Sequence, residues 1–140
     1  MIEALKKMLI RDEGEVNHAY KDSEGYLTIG VGRLIDKDKG GSISHDEAMY
    51  LLDNDIKAVI GQCDREFDWF DTLDGARKIV VLNMIFNLGI RGFSKFKKTI
   101  YFIKIGDYSE ASVEMLDSAW SNQVGVRAAR LSTIMKTGLL

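Results

Sequence analysis

Residues 24–32 read EGYLTIGVG, and the whole chain turns on how this stretch is built. Three of the thirteen glycines, Gly25, Gly30 and Gly32, fall within nine residues, and the polar Thr28 sits in the middle of an apolar run. A strand that only packs gains nothing from this, because glycine weakens regular pairing and offers no side chain to bury. Immediately before it, KDSEG (21–25) has the Asp, Ser and Gly of a tight turn. Turn and strand together predict a small glycine-rich β segment in which Thr28 has some task besides packing.

Upstream, Ile2, Leu5, Met8 and Leu9 recur at helical spacing, and Gly14 is a stop. Downstream, DKDKGGS (36–42) is a polar loop. Ser44 with Glu47 three residues on is a capping box that opens a long helix through Leu51, Leu52, Ile56, Val59 and Ile60. A break at DREFDWFDT (64–72) precedes ARKIVVLNMIFNL (76–88), apolar nearly all round and therefore a central buried helix, with Gly89 as its end. Ser94 is read as opening a helix that closes at Gly106, YSEASVEMLDSAW (108–120) as one amphipathic helix, and GVRAARLSTIMKTG (125–138) as the last.

Composition narrows the classes. Hydrophobic residues make up 46% and charged residues 29% of 140 residues, enough for one packed domain and against disorder. No apolar run reaches the roughly 20 residues of a membrane span, and the charged N-terminal segment lacks a cleavable signal pattern. The expectation is a protein made in a cytoplasm, without membrane insertion. The single cysteine, Cys63, allows no intrachain disulfide and reads as a half-buried helical thiol. With only His18 and His45 beside it, no structural zinc site and no cofactor are expected. The net charge of −2 hides an asymmetry: residues 1–74 carry 9 basic and 17 acidic side chains, and residues 75–140 carry 10 and 4. A basic second half suits an anionic polymer, and charge alone does not separate nucleic acid from an acidic wall glycan.

Three polar groups frame the opening stretch: Glu13 at a helix end, Asp22 in the turn and Thr28 on the strand. A helix end followed by a hairpin can direct all three into one cleft. Two carboxylates, one to donate a proton and one to direct water or attack, are the minimum equipment for glycoside hydrolysis. By spacing alone they are equally a solvated helix-end charge, a turn former and a β-branched strand residue.

The run DEGEVNHAYKDSEGYLTIGVG (12–32) resembles the lysozymes of T-even bacteriophages, the glycoside hydrolase family of phage endolysins. In that family a Glu in an EG motif, an Asp in YKDxEG and a Thr in YxTIGxG form the catalytic triad, and Glu13, Asp22 and Thr28 stand at these positions. DTLDGARKIVVLNMIFNLG (71–89), GFSKF (92–96) and SAWSNQVGVRAAR (118–130) resemble its central helix and the segments lining the cleft from the C-terminal side. The resemblance implies an α+β, mainly α, two-lobed fold in a single 1–140 domain. It would have a small β-lobe over 14–43, a connecting helix over 44–61, and a helical lobe formed by 62–140 with 1–13.

It also implies hydrolysis, with inversion, of the β-1,4 bond between N-acetylmuramic acid and N-acetylglucosamine in peptidoglycan. Glu13 would be the general acid, Asp22 the carboxylate beside the oxocarbenium-like transition state, and Thr28 a water-positioning hydroxyl. Glu24, Gly32, Phe86, Asn87, Gln123 and Arg127 match positions at the saccharide cleft, Arg127 as a partner of the catalytic glutamate. Trp120 also matches, and for Phe86 and Trp120 core packing is an equal reading. The implied partner is the glycan strand, met by a monomer held in the host cytoplasm until a separate holin-type pore gives access to the wall. The alternatives are a non-catalytic peptidoglycan-binding module of the same fold, a nucleic-acid binder resting on SKFKK and RAAR, and a lytic transglycosylase.

Three departures stand out. Arg33 replaces a histidine of the family's best-known member, so a histidine-based, pH-dependent salt bridge is not expected. The segment between strand and long helix is short, which predicts a smaller β-lobe. The chain ends at MKTGLL, which predicts weaker docking of the terminal helix on the N-terminal one.

Overall fold

A computed structural model describes all of residues 1–140. Its elements are α1 (Ile2–Glu13), β1 (Val16–Lys21), β2 (Leu27–Gly30), β3 (Arg33–Leu34), α2 (His45–Glu66), α3 (Gly75–Ser94), α4 (Lys97–Lys104), α5 (Tyr108–Leu116), α6 (Ala119–Val124) and α7 (Val126–Thr137), with single 3₁₀ turns at Lys37–Lys39 and Phe70–Thr72. This is the mainly helical α+β fold with one small sheet that the sequence led us to expect. Met1–Leu51 and Leu52–Leu140 form two compact units, and the boundary falls inside α2.

In the first unit the sheet has the order β1-β2-β3, antiparallel throughout. Tyr20 pairs with Thr28 and Lys21 with Leu27, but Val16 pairs with Gly30, so four steps along β1 match two along β2. That irregularity lies where β2 reaches Gly30, whose φ of +71° is open to glycine at little cost. Thr28, paired on its other side with Leu34, is the middle of the sheet and only 4% exposed.

The capping box forms as expected: the Glu47 backbone N–H donates to Ser44 Oγ (3.1 Å), and the Ser44 N–H donates to Glu47 Oε1 (2.9 Å). Glu47 also takes the Arg33 guanidinium at 2.8 Å, which ties β3 to the start of α2. This is what stands where a histidine pair was not expected. The Arg33 hydrogen bond first, then the Ser44 donors, hold the Glu47 carboxyl down at about 2, against an ordinary value of 4.5.

A carboxylate lowered in the folded state stabilises it fully above the unfolded value, and that contribution fades as pH falls toward the folded one. Tm measured against pH is therefore expected to lose a component between about 4.5 and 2 that Glu47→Gln lacks. Both side chains are solvated, so the component should shrink in high salt. Identical acid profiles for the two proteins would refute it.

The second unit holds the apolar core. Val80, Val81, Met84 and Ile85 on α3 bury fully against Met115 of α5, Trp120 of α6, and Ala128, Leu131 and Met135 of α7. Cys63 on α2 is wholly buried, deeper than the half-buried thiol the sequence suggested, and burial pushes it up to about 11. Asp74 caps α3 by accepting the Arg77 N–H, and Arg77 then donates to the Met135 and Lys136 carbonyls, fastening the start of α3 to the end of α7.

Two helix starts differ from the sequence reading. Gly89 does interrupt α3, at φ +73° and ψ 162°, but the chain resumes helix beyond it up to Ser94. Ser94 therefore ends α3 instead of opening α4, and its hydroxyl donates back to the Ile90 carbonyl (2.7 Å). Likewise 108–120 is not one helix: it breaks after Leu116, and Ser118 caps a separate α6 by accepting the Ser121 N–H.

Candidate active site

The geometry of the first unit follows from its two turns. Gly14, at φ +77°, ends α1 one residue after Glu13 and sends the chain straight into β1. Glu13 is thus left on the last turn, exposed and free of any side-chain hydrogen bond within the protein. Asp22 closes the next turn: its Oδ1 accepts the N–H groups of Glu24 (2.9 Å) and Tyr26 (2.8 Å), and its carbonyl accepts the Gly25 N–H (3.0 Å). One carboxylate oxygen is anchored by two donors, and Oδ2 remains without a protein partner. Thr28 Oγ1 donates to the Tyr26 carbonyl (3.0 Å), so its proton is committed and its oxygen can only accept from anything else.

These three side chains line one cavity of about 380 Å³, together with Glu24, Gly32, Tyr20, Tyr26, Leu34 and Lys39. Gly32 is there for space. At φ +67° it suits glycine, and a Cβ on it would lie 3.2 Å from Glu13 Oε2. Any side chain at 32 would therefore both strain the backbone and push the Glu13 carboxylate.

The other expected site residues lie in the second unit. Phe86, half exposed and so not a core residue, shares a cavity of about 320 Å³ with Arg127, Asn83, Leu52, Ile56 and Ile79. The Arg127 guanidinium is held by Asn83, which accepts at its Oδ1 from Nε (2.9 Å) and Nη2 (2.7 Å). Gln123 lines a separate cavity of about 640 Å³ with Trp120 and Lys95. Asn87 accepts the Trp120 indole N–H at 2.8 Å, and Trp120 is 4% exposed, which places this tryptophan in the core. No three His, Cys, Asp or Glu side chains converge at metal-ligand spacing.

Sequence reasoning missed Tyr20, Tyr26, Lys39 and Asn83. Tyr26 had a signal, since it lies two residues before Thr28 and so on the same strand face. Tyr20 becomes visible only with the register that sets it opposite Thr28.

Residues 11–136 match the model of the phage lysozyme family. The chain belongs to that family. It is 32% identical to a probable T4-type lysozyme 2 of Dictyostelium discoideum, in an alignment covering all of this chain and 98% of that protein. The pre-baseplate central spike protein Gp5 of Enterobacteria phage T4 is 30% identical over 98% of this chain but only 28% of its own length. The SAR-endolysin of Escherichia phage Mu is 33% identical, covering 81% of this chain and 64% of that one. The family makes this lysozyme a glycoside hydrolase. No single helix is long and apolar enough to cross a membrane.

Proposed function

We propose that this lysozyme cleaves the β-1,4 bond between N-acetylmuramic acid and N-acetylglucosamine of peptidoglycan, with inversion, in the cavity of Glu13, Asp22 and Thr28. The observation that carries the reading is the pair of acceptors in that cavity. Thr28 has spent its proton on the Tyr26 carbonyl, and Asp22 keeps one oxygen free of protein donors. A water that gives one hydrogen to each has its lone pair left to attack the anomeric carbon. As the C–O bond breaks, Asp22 takes the water's proton and its charge offsets the oxocarbenium-like transition state. Glu13, loosely held at the end of α1, gives its proton to the departing oxygen.

Glu24 and Gly32, which line the same cavity, belong to the substrate site on this reading; within the second unit, taken by itself, Phe86, Asn87, Gln123 and Arg127 are read as further substrate contacts. The whole of 1–140 acts as one catalytic domain and as a monomer. The glycan strand is its partner, and delivery from the host cytoplasm to the wall falls to a separate holin-type pore.

Product analysis on purified peptidoglycan tests the reading. Hydrolysis gives new reducing ends with N-acetylmuramic acid at the terminus, formed first as the α-anomer. Anhydro-sugar products would replace it with a transglycosylase, and binding without any product would replace it with a wall-binding module.

A further inference from the structure

Helix α4 starts without a side-chain cap. The residue before Lys97 is Phe96, which has no acceptor to offer, and the Ile100 N–H is the first to reach back four residues, to the Phe96 carbonyl (3.0 Å). The Lys97 N–H turns to the Lys95 carbonyl (2.9 Å), and the N–H groups of Lys98 and Thr99 meet no acceptor in the protein. Two donors and the positive end of the helix dipole are left open.

An open helix end alone is ordinary, since water can answer it. Thr99 sets this one apart. It is 2% exposed and lines the cavity of about 640 Å³ in the second unit. Its hydroxyl bonds to no group of the protein. No unpartnered side-chain polar atom of the chain is sealed away from open space, so this hydroxyl faces the cavity. Threonines elsewhere in the helices bond a carbonyl one turn back, as Thr133 and Thr137 do. Buried hydroxyls are almost always paired, and an exception needs a reason. Helical side chains lean toward the N-terminus, so from the third position of α4 the hydroxyl shares the end where the two free N–H groups lie.

The charges follow the same division. Lys95, Lys97 and Lys98 line this cavity and none is in an ion pair. Its acids are Glu114, in the last turn of α5, and Asp117, just past that helix. The α4 bank is therefore the cationic one, and its donors are the unspent ones.

We propose that the start of α4 is a binding site for a phosphate-type oxyanion. The Lys98 and Thr99 N–H groups and the Thr99 hydroxyl donate to its oxygens, and the lysines supply the countercharge. The site shares no residue with the Glu13–Asp22–Thr28 cavity and does not depend on the hydrolytic reading. The same donors receive a free phosphate or the phosphate of a lipid headgroup.

Inorganic phosphate is titrated into the whole protein at ionic strength held constant with chloride, and the amide signals are followed by NMR. The Lys98 and Thr99 signals should move and saturate. Thr99→Val keeps the volume and removes a hydroxyl that has no protein partner, so its Tm without phosphate should not fall. Its phosphate Kd should rise about 5- to 10-fold, as for one hydrogen bond to a charged group. Thr99→Ser should restore binding, and Lys98→Met should weaken it by a similar factor. Co-sedimentation with phosphatidylglycerol vesicles separates the sources. Vesicle binding that Thr99→Val and Lys98→Met both reduce assigns the site to a lipid headgroup, and absence of vesicle binding assigns it to a free phosphate.

Shifts that never saturate, an equal response to acetate, or an unchanged Kd in Thr99→Val would overturn the proposal. So would a clear fall in Tm for Thr99→Val, because the hydroxyl would then serve the fold.

Discussion

Glu13→Gln is expected to lower kcat on peptidoglycan by about 10²- to 10⁴-fold, the range spanned by a positioned general acid. The amide keeps the shape and hydrogen-bonding reach of the acid but cannot release a proton to the departing oxygen. Binding should survive, because the rest of the cavity wall is untouched, so KM should move far less than kcat. Stability should also survive. Glu13 is exposed on the final turn of α1 and no protein hydrogen bond depends on it. Substitutions at such positions usually stay within about 0.5 kcal/mol. Turbidity clearing, reducing-end release and thermal melting on the same preparation separate these effects. Clearing at the parent rate would remove Glu13 from the acid role. A melting shift of several degrees would mean that the loss of rate reports folding instead.

Much of this site was legible in the chain because its geometry is local. Gly14 and the 21–25 turn are chemical instructions about backbone direction, and they bring Glu13, Asp22 and Thr28 together within sixteen residues. The long helix was legible for the same reason, since the Ser44–Glu47 box is written in four residues and forms as written. What stayed hidden depends on contacts between segments. DKDKGGS reads only as polar, and nothing in it says that Asp36 bonds back to Leu27 and so aims Lys39 at Tyr26. Asn83 looks like a polar residue in an apolar helix until Arg127, 44 residues on, is found on it. Ser94 and Ser118 show the limit of local signals: both are cap-type residues near a helix break. Only the second caps, because the helix continues past Gly89 and gives Ser94 an Ile90 carbonyl to bond instead.

Trp120→Ala should produce the largest loss of stability, about 3–5 kcal/mol, since a large buried aromatic leaves a cavity that its neighbours cannot close. The residue is 4% exposed, its ring meets Phe96 edge-on at 6.1 Å, and its indole N–H is the donor that Asn87 Oδ1 accepts at 2.8 Å. In a chain of this size such a change lowers Tm by roughly 10–20 °C. Trp120→Phe divides the effect. It keeps most of the packed ring and removes the donor, so its cost should be near the 0.5–1.5 kcal/mol of one hydrogen bond plus the volume lost. The pair also decides between core and cleft for this tryptophan. Family resemblance places it beside the saccharide, whereas its burial says that its ring meets protein and that its indole N–H is already taken by Asn87. If burial governs, Trp120→Phe assayed well below its Tm should cleave peptidoglycan at close to the parent kcat while melting earlier. A normal Tm with a tenfold fall in kcat would instead put the indole on the substrate.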